Sequence, residues 1–310
     1  MTPVTIMMAT RNGAAFLNDQ LGSFIEQTHP HWSLRVSDDG STDETPDRVR
    51  DFAAAHPDRR IDLVAGPQRG SAANFMSLLA SWDVPDGYVA LSDQDDVWMP
   101  HKIARALECI GQVRGAGPVV YATRTILADA RMNPLRESVA HQSGPAFGNA
   151  LVQNILSGNT IVVNPAAFDL LRATAPAALA GEGIAYHDWW IYQVLSGAGA
   201  HIICDTKPGL YYRQHNTNTM GVNRGATAAL TRLNMIRNGQ FADWIDRNTA
   251  ALARISDHLT PQNRALLGEF RDWRAAAGQS GRKSLGQLGI HRQTRKGDLF
   301  LRALAMVGYI

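Results

Sequence analysis

The sequence predicts an α/β fold built on a mostly parallel sheet, and three observations carry that expectation. Short runs of strand formers alternate with helical patterns over residues 1–110, the spacing of parallel, right-handed β/α units. Each run also ends in a polar turn: Thr10-Arg11-Asn12, Asp38-Asp39, Arg69-Gly70, then Asp93–Asp96. In such a sheet these turns meet on one rim, where ligands of open α/β sheets bind. Finally, 310 residues with 45% hydrophobic content are enough for one large domain, or a domain plus an appendage.

The elements follow in order. Val4–Ala9 reads as a first buried strand, broken at Thr10-Arg11-Asn12-Gly13 and followed by a helical pattern through Phe16, Leu17, Leu21, Phe24 and Ile25. Trp32–Val36 is the second strand. It ends at Ser37-Asp38-Asp39-Gly40-Ser41-Thr42-Asp43, where Asp43 or Thr42 can cap the helix holding Val49 and Phe52. Ile61–Val64 is the third, leading through Gly66-Pro67 to a helix with Asn74, Phe75, Leu78 and Leu79. Tyr88–Leu91, bounded by Pro85-Asp86-Gly87, is the fourth, and Pro100 suits the first turn of a helix through Ile103 and Leu107.

Asp93, Asp95 and Asp96 arrive within four residues at the end of that fourth strand. Carboxylates so close repel one another unless something positive sits among them. A hard divalent cation, Mg²⁺ or Mn²⁺, is the natural partner. The competing reading is a solvated acidic turn with helix-capping Asp residues. Lys102 reads as a solvated helix position or a phosphate contact, and Asp38 as a turn acid.

Val119–Ala122 is a fifth strand, running into a charged connection from Asp129 to Gly144. Ile161–Val163, His201–Cys204 and Leu210–Arg213 read as further strands. Between them Tyr186-His187-Asp188-Trp189-Trp190 opens an aromatic-rich helix. From Arg224 the pattern turns helical, with Leu230, Leu233 and Ile236, then Phe241, Trp244 and Ile245, then Leu266, Leu267 and Phe270. Breaks fall at Thr260-Pro261 and at Ala277–Gly281. The expected domains are 1–223, with halves 1–110 and 111–223, and a helical region 224–310. Its tail from Arg282 carries six Lys or Arg against one Asp. Such a tail suits a membrane surface or a partner, or a helix folded back on the domain.

The net charge of +2 is too balanced for nucleic acid as a partner. Two cysteines, Cys109 and Cys204, have no paired spacing, which argues against a disulfide framework or zinc site. No stretch reaches the ~18 apolar residues of a membrane span. A cytoplasmic protein is expected. There is no G-x-G-x-x-G after the first strand and no G-x-x-x-x-G-K-[ST] anywhere, so a nucleotide would need another phosphate partner.

The segments TIMMATRNG, VSDDGSTD, GSAANF, SDQDDVWMPHK, SGNTIVVN, YHDWW and YYRQHNTN, in this order over residues 4–220, resemble glycosyltransferase family 2. These are inverting enzymes of the GT-A fold, and the likeness is greatest to the rhamnosyltransferase-type branch. The resemblance implies that Thr10, Arg11 and Asn12 hold a nucleotide, that Asp39 reads a pyrimidine base, and that Asn74 lies near the nucleotide or ribose. It implies Asp93 and Asp95 as the D-x-D pair, with Asp95 the direct metal ligand and Asp93 nearer the ribose. His215 completes the metal or diphosphate site, and Asp188 is the catalytic base. Arg11 stands where an aromatic is common in the family. Asn159, His187 and Trp189 are candidates for the acceptor or sugar side, with His187 able to orient Asp188 and Trp190 a core residue.

The implied reaction is one in-line displacement from a nucleotide sugar, dTDP-rhamnose or a UDP-hexose, onto a hydroxyl of a saccharide or lipid-linked saccharide. It would serve cell-surface polysaccharide or O-antigen synthesis at the inner membrane face. The rivals are a sugar nucleotidyltransferase and a non-catalytic binding protein of the same fold. The first would need a richer glycine loop than Thr10–Gly13; the second does not explain Asp39, Asp93, Asp95 and Asp188 together.

Overall fold

A computed structural model describes residues 2–81, 87–141, 143–215, 234–276 and 283–310. Pro85-Asp86, Asn216–Asn218, Leu230, Leu233, the 223/224 boundary and the break at Ala277–Gly281 lie outside the described residues.

Three β/α units and a fourth strand open the chain: β1 (Val4–Thr10), α1 (Ala14–Ile25), β2 (Trp32–Asp38), α2 (Thr45–Ala55), β3 (Ile61–Ala65), α3 (Ser71–Leu79) and β4 (Tyr88–Ser92). Next come β5 (Val97–Trp98), α4 (Lys102–Gly111), β6 (Val119–Ala128), β7 (Pro134–Glu137), α5 (Phe147–Ala150) and β8 (Val162–Val163). They are followed by α6 (Pro165–Leu179), α7 (His187–Gly197) and β9 (His201–Arg213). Helices α8 (Gln240–Arg254), α9 (Pro261–Ala275) and α10 (Arg295–Met306) complete the chain.

One sheet runs β3-β2-β1-β4-β8-β6-β9-β5, with β7 paired to β6. The β3-β2-β1-β4 block is parallel, as the alternating pattern predicts. Short β8 is antiparallel to both β4 and β6. Register brings the strand ends level: Thr10 pairs with Asp38, Asp38 with Ala65, and Met8 with Ser92. The loops that leave them therefore emerge on one edge.

The sheet divides two cores by the two-residue period of its strands. Val4, Ile6 and Met8 face Leu17, Leu21 and Phe24 of α1, while Met7 faces Phe75 and Met76 of α3. Helix α7 is apolar nearly all round and accordingly buried. Its polar Gln193 is satisfied by donating to the Ala150 carbonyl and accepting from Asn248 of α8.

Four expectations are corrected. His201–Cys204 and Leu210–Arg213 form one strand, because parallel pairing to β6 continues across Pro208 through a register shift. Pro100 precedes α4 instead of opening it, since Val97-Trp98 first pair with Tyr211 and Leu210 of β9. The Asp129–Gly144 connection contains β7, folded back on β6. Lys102 is not solvated; it is buried, with Nζ 3.2 Å from the centre of the Trp98 ring.

Of the alternatives for the tail, the structure shows a segment packed on the domain. Leu285, Leu288, Ile290, Leu301 and Leu304 join the core that holds Phe147 and Trp190. A Cβ on Gly148 would collide with the Gly289 carbonyl oxygen. Gly148→Ala is therefore expected to push the tail off α5 and cost about 1–3 kcal/mol. Thermal unfolding and limited proteolysis after residue 283 would read this, and unchanged protection of the tail would contradict it.

Candidate active site

Side chains stitch the rim loops together. The Gln94 amide accepts from the Arg11 N–H at 2.8 Å and donates to the Arg11 carbonyl at 3.0 Å, joining the loops after β1 and β4. Asn12, at φ 48°, accepts the Thr42 N–H at 2.8 Å and donates its own N–H to Ser41 Oγ at 2.8 Å. Thr10 Oγ1 donates to Asp38 Oδ1 at 3.1 Å, and Asp38 also accepts from Ser41, so Asp38 is a turn acid as read.

Asp39 is buried, and its two oxygens accept the N–H groups of Gln68 at 2.6 Å and Gly70 at 2.8 Å. Gly70 presents that N–H at φ 89°, a conformation glycine adopts without strain. Each oxygen keeps a lone pair for a further donor. Asn74 is also buried, with its amide paired in both directions to Ser37, and so acts on the end of β2 from beneath.

The three acids after β4 have different surroundings. Asp96 is fully buried, accepting from the Asn159 amide and from the Arg213 N–H at 3.1 Å. Asn159 in turn accepts from Ser157 Oγ at 2.8 Å, so its side chain is spent inside the fold. Asp95 is largely but not wholly covered, and its Oδ2 accepts from His215 Nε2 at 2.8 Å. The His215 ring stacks on Phe16 at 4.6 Å.

Burial, then the charges of Asp95 and Asp188, push the Asp93 carboxyl up to about 8 against the opposing pull of Lys102. Asp96 is raised well above the usual range by burial and by Asp95 and Asp93. This is negative charge in want of a cation. Carboxylates and an imidazole suit Mn²⁺, and one or two carboxylates suit Mg²⁺. Among the described residues no group of three or more His, Cys, Asp or Glu is placed to hold an ion. Asp95 and His215, paired at 2.8 Å, are the neighbouring groups that could hold such an ion if other oxygens complete its shell.

Asp188 stands in the first turn of α7 and is half-buried. Its Oδ1 accepts the Trp189 N–H at 2.7 Å, and Gly158 and Asn154 also donate to the carboxylate. Burial nevertheless raises its carboxyl to about 6. The structure thus brings Asp188 within electrostatic reach of Asp93.

With Asn159 spent on Asp96 and Ser157, two more of the acceptor-side candidates also take other places. His187 stacks on Phe75 at 3.8 Å, and burial lowers its imidazole to about 3. Backbone N–H groups and Asn154 hold Asp188, so the orienting part expected of His187 is corrected. Trp189 is buried, with Nε1 donating to the Ala150 carbonyl at 2.6 Å, so it is core and not a wall of an open sugar site. Trp190 is core as read.

Arg213 escaped the sequence reading. Its guanidinium donates to the Asp95 carbonyl at 2.8 Å, the Ala130 carbonyl at 2.8 Å and Asp19 Oδ2 at 2.6 Å, and lies 4.7 Å over Phe16. One buried cation thus ties α1, the acidic loop, the β6–β7 turn and the end of β9. The only signal was its position two residues before His215. Two open grooves of about 580 and 910 Å³ flank α2 and contain none of Asp93, Asp95 or Asp188.

Residues 5–153 match the model of Glycosyl transferase family 2. That segment is a family 2 glycosyltransferase domain. Over 257 residues the chain is 26% identical to the dTDP-rhamnosyl transferase RfbG of Shigella flexneri, covering 79% of this chain and 84% of that one. It is 29% identical over 100 residues to the UDP-Glc:alpha-D-GlcNAc-diphosphoundecaprenol beta-1,3-glucosyltransferase WfgD of Escherichia coli, which covers 32% of this chain and 38% of that one. The crystal structure of S. aureus TarS 1-349 in complex with UDP-GlcNAc superimposes with a TM-score of 0.53 at 15% identity, covering 87% of each chain. The fold of the chain is accordingly GT-A, and Asp188 and His215 lie beyond the segment matched by the family model.

Proposed function

We propose that this chain is an inverting, metal-dependent glycosyltransferase that moves a sugar from a nucleoside-diphosphate donor to an acceptor hydroxyl in surface-polysaccharide synthesis. The observation that carries the reading is the electrostatic meeting of Asp188, from α7, with Asp93, from the loop after β4. A base and a diphosphate-binding edge at one place are what a single displacement requires.

Asp188 accepts the proton of the acceptor hydroxyl as that oxygen bonds to the anomeric carbon. The bond from that carbon to the diphosphate oxygen breaks on the opposite face, inverting the centre without a covalent enzyme intermediate. The Trp189 N–H holds the carboxylate in place. Asp95 and His215, with Asp93 beside them, would hold Mg²⁺ or Mn²⁺, which when bound supplies positive charge for the departing diphosphate. Thr10, Arg11, Asn12 and Asp39 form the nucleotide side, Asn74 supports it from below, and Asn159 supports the acid loop.

The 26% identity to a dTDP-rhamnosyl transferase favours dTDP-rhamnose, with UDP-hexoses next. Similarity to an enzyme named for a diphosphoundecaprenol acceptor favours a lipid-linked saccharide. Residues 1–223 would then be the transferase domain, with donor half 1–110 and acceptor half 111–223, and 224–310 a helical extension. Among the described residues no helix is long and apolar enough to cross a membrane. The proposed location is the cytoplasmic side of the membrane, with contact through 282–310.

Calorimetry with TDP, UDP and GDP tests the donor side. One of the three is expected to bind, and to bind at least about tenfold more weakly without Mn²⁺, a loss of ~1.4 kcal/mol. Binding of none would remove the proposal. Release of nucleoside diphosphate from a panel of nucleotide sugars would then name the donor.

A further inference from the structure

The last helix, α10, has two apolar faces and only one is used. Leu301, Leu304 and Ala305 are buried against the domain, as is Ile310 just beyond it. Leu299 (67% exposed), Phe300, Met306 (82%), Val307 (64%) and Tyr309 point away from it. Exposed Arg295, Lys296 and Arg302 lie among these side chains. Among the described residues no carboxylate lies within ion-pair distance of these three cations. Asp298, the one acid of the tail, is spent accepting the Arg292 N–H at 2.6 Å.

We infer that this outward face of α10 is a docking surface for an anionic lipid bilayer. A helix with large apolar side chains beside three cations, and a single acid already holding a backbone N–H, lies in the headgroup region of such a membrane. A second copy of the chain fits worse. A two-fold contact is self-complementary, so it would bring the same three cations together. The buried face fixes how the surface is presented. Gln293, just before α10, donates to Asn149 at 3.2 Å, and Tyr192 of α7 donates to the same oxygen at 3.0 Å. Tyr192 stands one turn beyond Asp188. A bilayer under α10 is therefore coupled by a few hydrogen bonds to the helix carrying the proposed base, which suits an acceptor held in that bilayer.

Only that last inference about the acceptor rests on the proposed transfer reaction. The docking itself is measured without donor or acceptor, so either reading can fail while the other stands. Full-length protein is sedimented with vesicles of phosphatidylcholine alone, or with phosphatidylglycerol added, at low and high salt. Sedimentation with the anionic vesicles, released by salt, is expected. Leu299→Glu with Met306→Glu, both at well-exposed positions, should lower the partition at least about tenfold while thermal unfolding stays unchanged. Arg295→Gln with Arg302→Gln should lower it about 25-fold, from roughly fivefold per cation. The inference is overturned if anionic vesicles bring down no protein, or if both double variants partition as the parent does. It is equally overturned if light scattering finds a dimer that Leu299→Glu converts to monomer without vesicle binding.

Discussion

Asp188→Asn is expected to lower kcat by about 10²–10⁴, or ~3–5 kcal/mol of barrier, while making the folded protein more stable at neutral pH. The two effects share one cause. Asp188 is half-buried, and burial holds its carboxyl at about 6 instead of 3.8. Between those values the folded state keeps a proton that the unfolded state has lost. Stability therefore falls as pH rises through that window, because unfolding lets the carboxylate ionise in water. Above about pH 6 the ionised side chain destabilises the fold by roughly 2–3 kcal/mol, and asparagine removes the charge while keeping an oxygen for the Trp189 N–H. Denaturant midpoints should favour the variant at pH 8 and converge with the parent near pH 4. The parent's activity should fall on the acid side with a midpoint near 6, where a base must be ionised to act. A variant that is inactive yet no more stable at pH 8 would mean that burial of this carboxylate costs nothing. A variant that keeps full activity would remove Asp188 from the mechanism.

Arg213→Met is expected to cost about 2–4 kcal/mol of stability and to lower activity at sub-saturating Mn²⁺. The side chain is only 3% exposed and makes three charge-assisted hydrogen bonds. Asp19 is half-exposed and can return to water, but the Asp95 and Ala130 carbonyls lose their donors. Arg213→Lys should recover no more than about half, since an ammonium cannot reach three diverging acceptors as a planar fork does. Because the clasp holds the Asp95 backbone and precedes His215 by two residues, loss of register there should raise the Mn²⁺ concentration needed for half-maximal rate. Denaturant unfolding and a Mn²⁺ titration separate the two effects. An unchanged titration would make Arg213 a purely structural residue.

Much was legible in the sequence because its signals are local. Runs such as Val4–Ala9 followed by polar turns specify β/α units, and their parallel order places Asp39, Asp93 and Asp95 on one rim. The family motifs were legible for a similar reason: each occupies a few consecutive residues at a strand end or helix start.

What only the tertiary structure decided concerns partners far apart along the chain. Lys102 looks solvated by composition, yet β5 pairing to β9 folds the ring of Trp98 and the buried acids around it. Arg213 finds Asp19 nearly two hundred positions away. Asp96 and Asp95 are neighbours with the same side chain, but one is sealed by Asn159 while the other faces His215. Residue type and spacing determine which groups carry charge and which strands form. How far each charge is desolvated, and against which partner, depends on contacts that exist only once the sheet has closed.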